Sequence, residues 1–118
     1  MKGIEMHLLP SPFEQMKNGQ KQIEIRLFDE KRRVLRVGDQ IVFKKLPDQQ
    51  DQLEATVTAL SRFPTFRELF EAFAPKQFGF ENAGMEEMLR QIHEIYSCEQ
   101  ERYWGVLGIH LQFESIEK

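Results

Sequence analysis

GQKQIEIR, residues Gly19 to Arg26, decides how the first part of the chain is read. As a strand it sets Ile23 and Ile25 on one face, because successive side chains alternate. The same parity puts Lys21 on that apolar face and stacks Glu24 and Arg26 on the other. Gly19 closes the preceding segment as a helix C-terminal glycine, free to take positive φ. Two readings of the three charges stand open. In one, Glu24 and Arg26 form a surface ion pair of small value and Lys21 snorkels from the strand end. In the other, they line a site.

Upstream, Ile4, Met6 and Leu8 alternate and predict a first strand. Ser11-Pro12-Phe13-Glu14 has capping-box spacing with proline at the first helical position, so a helix is expected over about residues 12–18. Downstream, QIVFKKL and LEATVTAL read as strands separated by the polar loop LPDQQDQ. Thr65-Phe66-Arg67-Glu68 opens a helix over about 65–73, with Phe66, Leu69, Phe70 and Phe73 as its apolar stripe. Met85, Met88, Leu89, Ile92 and Tyr96 form a second stripe and predict a helix over about 85–96. These stripes read as core packing. In the closing RYWGVLGIHLQF, Leu107, Ile109, Leu111 and Phe113 alternate as a last strand. Strands dominate and two helices come late. The expected class is α+β, a mixed β-barrel with peripheral helices, and not a doubly wound sheet.

The 118 residues are long enough for one core and are expected to form a single domain, 1–118. No apolar run approaches membrane-spanning length, and MKGIEMHLLP lacks a signal-peptide apolar core because Glu5 and His7 interrupt it. One cysteine, Cys98, cannot form an internal disulfide, which points to a reducing compartment, the cytoplasm. The net charge of −3 conceals an asymmetry: residues 17–46 carry nine Lys/Arg against four acids. A basic segment on an acidic protein attracts phosphates; the plainer reading is a solvated charged loop.

Several chemistries are set aside. His7, His93 and His110 are scattered without metal-ligand spacing, so no metal is expected. There is no phosphate loop, nucleophile elbow or Cys/His pairing, and no cofactor is implied. Cys98, beside Glu99, has no sequence sign of an activated thiolate.

Gly19-x-Lys21-x-x-Glu24-x-Arg26 resembles the G-x-K-x-x-E-x-R signature of the ASCH domain, named for activating signal cointegrator homology. VGDQIVF (37–43), the IYS around Tyr96 and YWGVLGIHL (103–111) resemble later parts of bacterial single-domain members, in order along most of the chain. The resemblance implies a PUA-like barrel with a cleft lined by the signature strand. Lys21, Glu24 and Arg26 would then face a ligand, and RNA or a nucleotide or nucleoside is the partner it implies. Their convergence needs a bulge, or the strand's emergence at Gly19, to overcome the parity. Phe28, Tyr103 or Trp104 would supply a stacking face. Some bacterial members are similar to small metal-independent hydrolases that deacetylate N(4)-acetylcytidine or cleave RNA. In such an enzyme the catalytic residues would be Lys21, Glu24 and Glu81. The deacetylase Lys falls on Lys21 and its Glu on Glu81, but its Thr position holds Glu24, a departure from that mechanism. A non-catalytic protein-interaction domain is the remaining alternative.

Overall fold

Alternation along Gly3–Leu8 gives the first strand, β1, and the following prolines start a helix at once. The computed structural model describes residues 3–113. Helix α1 spans Pro10–Lys17 and begins two residues earlier than the Ser11 capping box predicts. Leu9 is its N-cap, with no side-chain cap, because Pro10 and Pro12 sit in a first turn whose N–H groups need no helical partner. Gly19, at φ +85°, ends it: its N–H reaches the Met16 carbonyl, while Gln20 and Lys21 both donate to the Gln15 carbonyl.

Strand β2 (Ile23–Leu27) follows, then β3 (Gln40–Lys45), β4 (Gln52–Phe63) and, last in the chain, β5 (Val106–Phe113). The five strands make one curled sheet in the order β1-β3-β4-β5-β2. β1 runs parallel to β3 and every other pair is antiparallel. A register shift between Val57 and Ala59 bends β4, which lets the sheet curl toward a barrel. The expected mixed barrel with peripheral helices is therefore present as a half-barrel. β1 and β2 are its two unpaired edges.

Two cores divide the apolar residues. Inside the curl lie Met6, Leu8, Ile41, Phe43, Ala55, Val57, Leu107, Ile109 and Leu111, closed over by Phe13 and Met16 of α1. Outside it, Ile23, Ile25, Leu27 and Val106 pack under α2 (Phe66–Ala72) and α3 (Met85–Ile92). Gly108 fits this outer layer by close approach, since a Cβ there would stand 3.0 Å from Leu69 Cδ1. Thr65 caps α2 as expected, its hydroxyl accepting the Glu68 N–H at 3.1 Å.

The expected helix over 85–96 is shorter, and a further helix that the sequence reading did not predict follows it. α3 stops at Ile92, and α4 spans Cys98–Trp104. Between them the chain turns so that Tyr96 packs on Phe66, with ring centroids 5.9 Å apart. Tyr96 is thus half-buried by a turn and not by a continuing helix. Ser97 and Gln100 form a reciprocal capping box that starts α4.

Candidate functional site

β2 is covered on both sides, and its two faces differ in chemistry. Ile23, Ile25 and Leu27 serve the outer core. Glu24 and Arg26 point the other way, opposite Ile109 and Leu107 of β5, onto the concave face where apolar residues belong. Lys21 lies outside the strand. Gln22 separates it from Ile23, so strand parity no longer governs its direction. Its backbone makes a lone bridge to Phe78, and its side chain swings to the Glu24 side.

The three side chains meet. Lys21 Nζ stands 3.3 Å from Glu24 Oε1, and Arg26 Nε donates to Glu24 Oε2 at 2.6 Å. Lys21 and Glu24 are only 8% and 5% exposed. Lys21 also donates to the Phe78 carbonyl at 3.4 Å. Arg26 reaches across the open seam of the half-barrel to the His7 carbonyl on β1, at 3.3 Å. Burial pushes the Glu24 carboxyl up, but the charges of Lys21 and Arg26 outweigh it and hold the group below the ordinary carboxylate range. Burial likewise works against the Arg26 guanidinium, and Glu24 overrides it upward. One carboxylate between two cations leaves a net positive charge in a largely buried site.

That charge opens onto a cleft of about 610 Å³. Its walls are the end of β1, α1 through Gln15, β2, the Phe78–Phe80 loop, and the end of α3 with the turn to Tyr96. The cleft is the seam left by the unpaired strand edges, covered by segments far apart in sequence. Gly79 fits here at φ +94°, where a Cβ would lie 2.6 Å from Gln15 Oε1. Gln15 Nε2 donates to the Gly79 carbonyl at 2.9 Å and ties the loop to α1. Burial raises the Tyr96 hydroxyl's pKa, against the pull of the Arg26 charge.

Glu81 is not part of this group. Its side chain is exposed, takes a hydrogen bond from Gln20 Nε2 at 3.1 Å, and lies outside the cleft lining. The aromatic candidates are elsewhere as well. Arg62 covers the Phe28 ring at 3.8 Å, and Phe28 and Trp104 line a separate hollow of about 300 Å³. Tyr103 is exposed. Two residues near the triad escaped the sequence reading. Tyr96 read as helix stripe, and Arg32 as one charge of the basic segment 17–46, whose plainer reading is a solvated loop. Arg32 is held near Asp29 at 3.9 Å, and its Nε is the one buried side-chain nitrogen or oxygen without a hydrogen-bond partner among the described residues. Burial lowers its pKa, and the nearby Arg26 charge lowers it further.

The sequence matches the model of the ASCH domain over residues 6–116. The chain belongs to the ASCH domain family. Its signature residues are the ones that converge at the seam. The ASCH domain here is similar to the crystal structure of hypothetical protein PH0355, with a TM-score of 0.85 and 29% identity over 96% of this chain and 100% of that one. It is also similar to the solution structure of protein PF0455 from Pyrococcus furiosus, with a TM-score of 0.75 and 28% identity over 99% of this chain and all of the other. An ASCH protein from Zymomonas mobilis, solved as its S128A mutant, shares the fold at 12% identity, with a TM-score of 0.69 over 94% of this chain and 68% of that chain. The α+β arrangement is the PUA-like fold. No curated protein matches the sequence. No helix among the described residues is long and apolar enough to cross a membrane.

Proposed function

We propose that the cleft at the β1–β2 seam binds RNA or a nucleotide, with Lys21 and Arg26 as the contacts to phosphate or base-edge acceptors. The observation that carries this is the buried triad on the concave face of β2. Two cations share one carboxylate at 3.3 and 2.6 Å, beside a cleft of about 610 Å³. A fold gains little from burying three charges that apolar side chains could replace, so the arrangement is best explained by what the cations do for a ligand. Glu24 orients Arg26, whose planar fork suits bidentate recognition. Tyr96 supplies an aromatic wall. A cytoplasmic location fits the reading.

The hydrolase alternative needs a carboxylate near Lys21 that is free to hold a water or shuttle its proton. Glu24 is engaged by two cations, and Glu81 stands outside the cleft. Binding is therefore the reading that the geometry favours.

The test is titration of the purified protein with short single-stranded RNAs, nucleotides and modified nucleosides, read by fluorescence anisotropy or calorimetry. A charge-assisted hydrogen bond contributes about 1.5–3 kcal/mol, so Lys21→Met and Arg26→Gln should each weaken binding roughly tenfold or more. Affinity for a strand should fall steeply with salt through counterion release, whereas a nucleoside should show little salt dependence. Unchanged affinity in both variants, with circular dichroism like the wild type, would sink the proposal. So would Lys21-dependent turnover of an acylated nucleoside.

A further inference from the structure

We propose that His93, Cys98 and Glu101 form a zinc-binding site at the junction of α3 and α4, distinct from the cleft triad. One donor atom from each of the three lies within 4.8 Å of the others. They come together because α3 ends at His93 and the Ser97 capping box launches α4 in a new direction. Cys98 and Glu101, three residues apart on α4, then share one helical face toward the imidazole.

The hydrogen bonds around the imidazole are those of a metal ligand. Nδ1 of His93 lies 3.0 Å from the Tyr96 carbonyl oxygen, which can only accept, so Nδ1 carries the hydrogen. In the neutral ring that leaves a lone pair on Nε2, and Nε2 faces Glu101 Oε1 at 3.5 Å. The contact is closed either by a proton on Nε2, as a His93–Glu101 ion pair, or by a metal cation between the two atoms. The other oxygen of Glu101, Oε2, is already held by the Phe66 N–H at 2.7 Å. The ring packs edge-on against Phe66, with centroids 5.6 Å apart. Histidine donating its second nitrogen to a backbone carbonyl, with a ligating carboxylate itself hydrogen-bonded, is the outer-shell pattern that orients metal ligands.

Cys98 sets the metal class. Its Sγ is 4.0 Å from Nδ1 of the same ring, and the residue is exposed. One nitrogen, one sulfur and one oxygen suit Zn²⁺ and not the all-oxygen shells of Mg²⁺ or Ca²⁺. Tetrahedral zinc with bonds of roughly 2.0–2.3 Å spaces its ligands about 3.5 Å apart, so the thiol, on the Nδ1 edge of the ring, has to swing toward Nε2 and close the donor set from within 4.8 Å to that spacing. Three protein ligands leave a fourth position for water. The ion would clamp the turn between the two helices, which carries Ile95 and Tyr96 in the cleft wall, to the start of α2.

The test uses the purified full chain, stripped with chelator and titrated with Co²⁺ and Zn²⁺. Co²⁺ should give a thiolate-to-cobalt charge-transfer band in the near ultraviolet, and Zn²⁺ should raise the melting temperature. Cys98→Ser, a substitution at an exposed position, should abolish the band. Cys98→Ser and Glu101→Gln should each lower Zn²⁺ affinity at least tenfold. His7→Gln, which removes the separate surface pair of His7 with Glu5, should change neither readout. A cobalt complex with no charge-transfer band, or a Zn²⁺ stabilisation that persists in Cys98→Ser, would overturn the proposal.

Discussion

The floor and the rim of the cleft carry the same ionic motif in opposite surroundings. On the floor, Glu24 is shared by Lys21 and Arg26. On the rim, Arg90 is shared by Glu87 and Glu94, with both contacts at 2.6 Å, the length of the Arg26–Glu24 bond. Distance does not separate them. Exposure does: the Glu24 side chain is 7% exposed and that of Arg90 58%. Water screens and competes for the rim charges, while the floor charges have mainly one another. Geometry alone therefore ranks the two groups as equals, and burial decides which of them governs stability and recognition.

The largest effect is expected from Glu24→Gln. Removing the carboxylate leaves two buried cations facing each other, and breaking a buried pair costs about 3–5 kcal/mol. Urea denaturation should register that loss. Replacing all three charges, as in Lys21→Met with Glu24→Leu and Arg26→Met, should recover most of it, because a buried ionic cluster is seldom better for the fold than well-packed apolar side chains. The same triple variant should lose ligand binding. Recovery of stability together with retained binding would show that the floor charges have no part in recognition.

A pH series sharpens the comparison further. The Glu24 carboxyl is held below its ordinary value by Lys21 and Arg26 against the opposing effect of burial, so its folded pKa lies below its unfolded one. Its contribution is then fully present above the unfolded value of about 4.3 and is lost as pH falls through the lower folded pKa. Glu14 beside Lys45, and Glu87 beside Arg90, are also depressed, but both are exposed to water, which screens them and leaves them little weight in the acid limb. The wild-type curve minus the Glu24→Gln curve isolates the floor. That difference should be constant from neutral pH to about pH 5 and shrink in more acidic solution. A difference independent of pH down to the acid limit would mean that the Glu24 pKa is the same in the folded and unfolded chains, and that Lys21 and Arg26 do not hold it down.

Much of this was legible in the sequence, with failures of two physical kinds. The strands were readable because alternation reports burial directly: Ile4, Met6 and Leu8, or Leu107 to Phe113, need no knowledge of the rest of the chain. Lys21 was misplaced by parity because the alternation begins only at Ile23, and a bridge to Phe78 governs the preceding residues. Helix ends failed where local signals competed. The Ser11 spacing lost to two prolines, and the unbroken stripe to Tyr96 hid a turn that the Ser97-Cys98-Glu99-Gln100 capping box announces. The cleft's composition was legible only on β2. Tyr96 and the Phe78–Phe80 loop reach it through tertiary folding, which no spacing within the chain encodes, and Glu81 stays on the surface beside Gln20.

The smallest effect is expected at the rim. Arg90 holds the Glu87 carboxyl down to about 2 through hydrogen bonds, with Gln91 assisting, yet the whole group is exposed to water. Long side chains fixed at a surface lose rotamer freedom, and salt screens what they gain. Arg90→Gln should therefore shift the urea midpoint by no more than the scatter between repeats. Any residual difference should vanish near 1 M salt, where the screening length is about 3 Å. Glu24→Gln, with its groups out of the solvent, should keep its full deficit under the same conditions. If Arg90→Gln destabilised the protein as much as Glu24→Gln, and the loss survived high salt, burial would not be what distinguishes the two groups. The rim would then have to be counted as part of the folded core of the site.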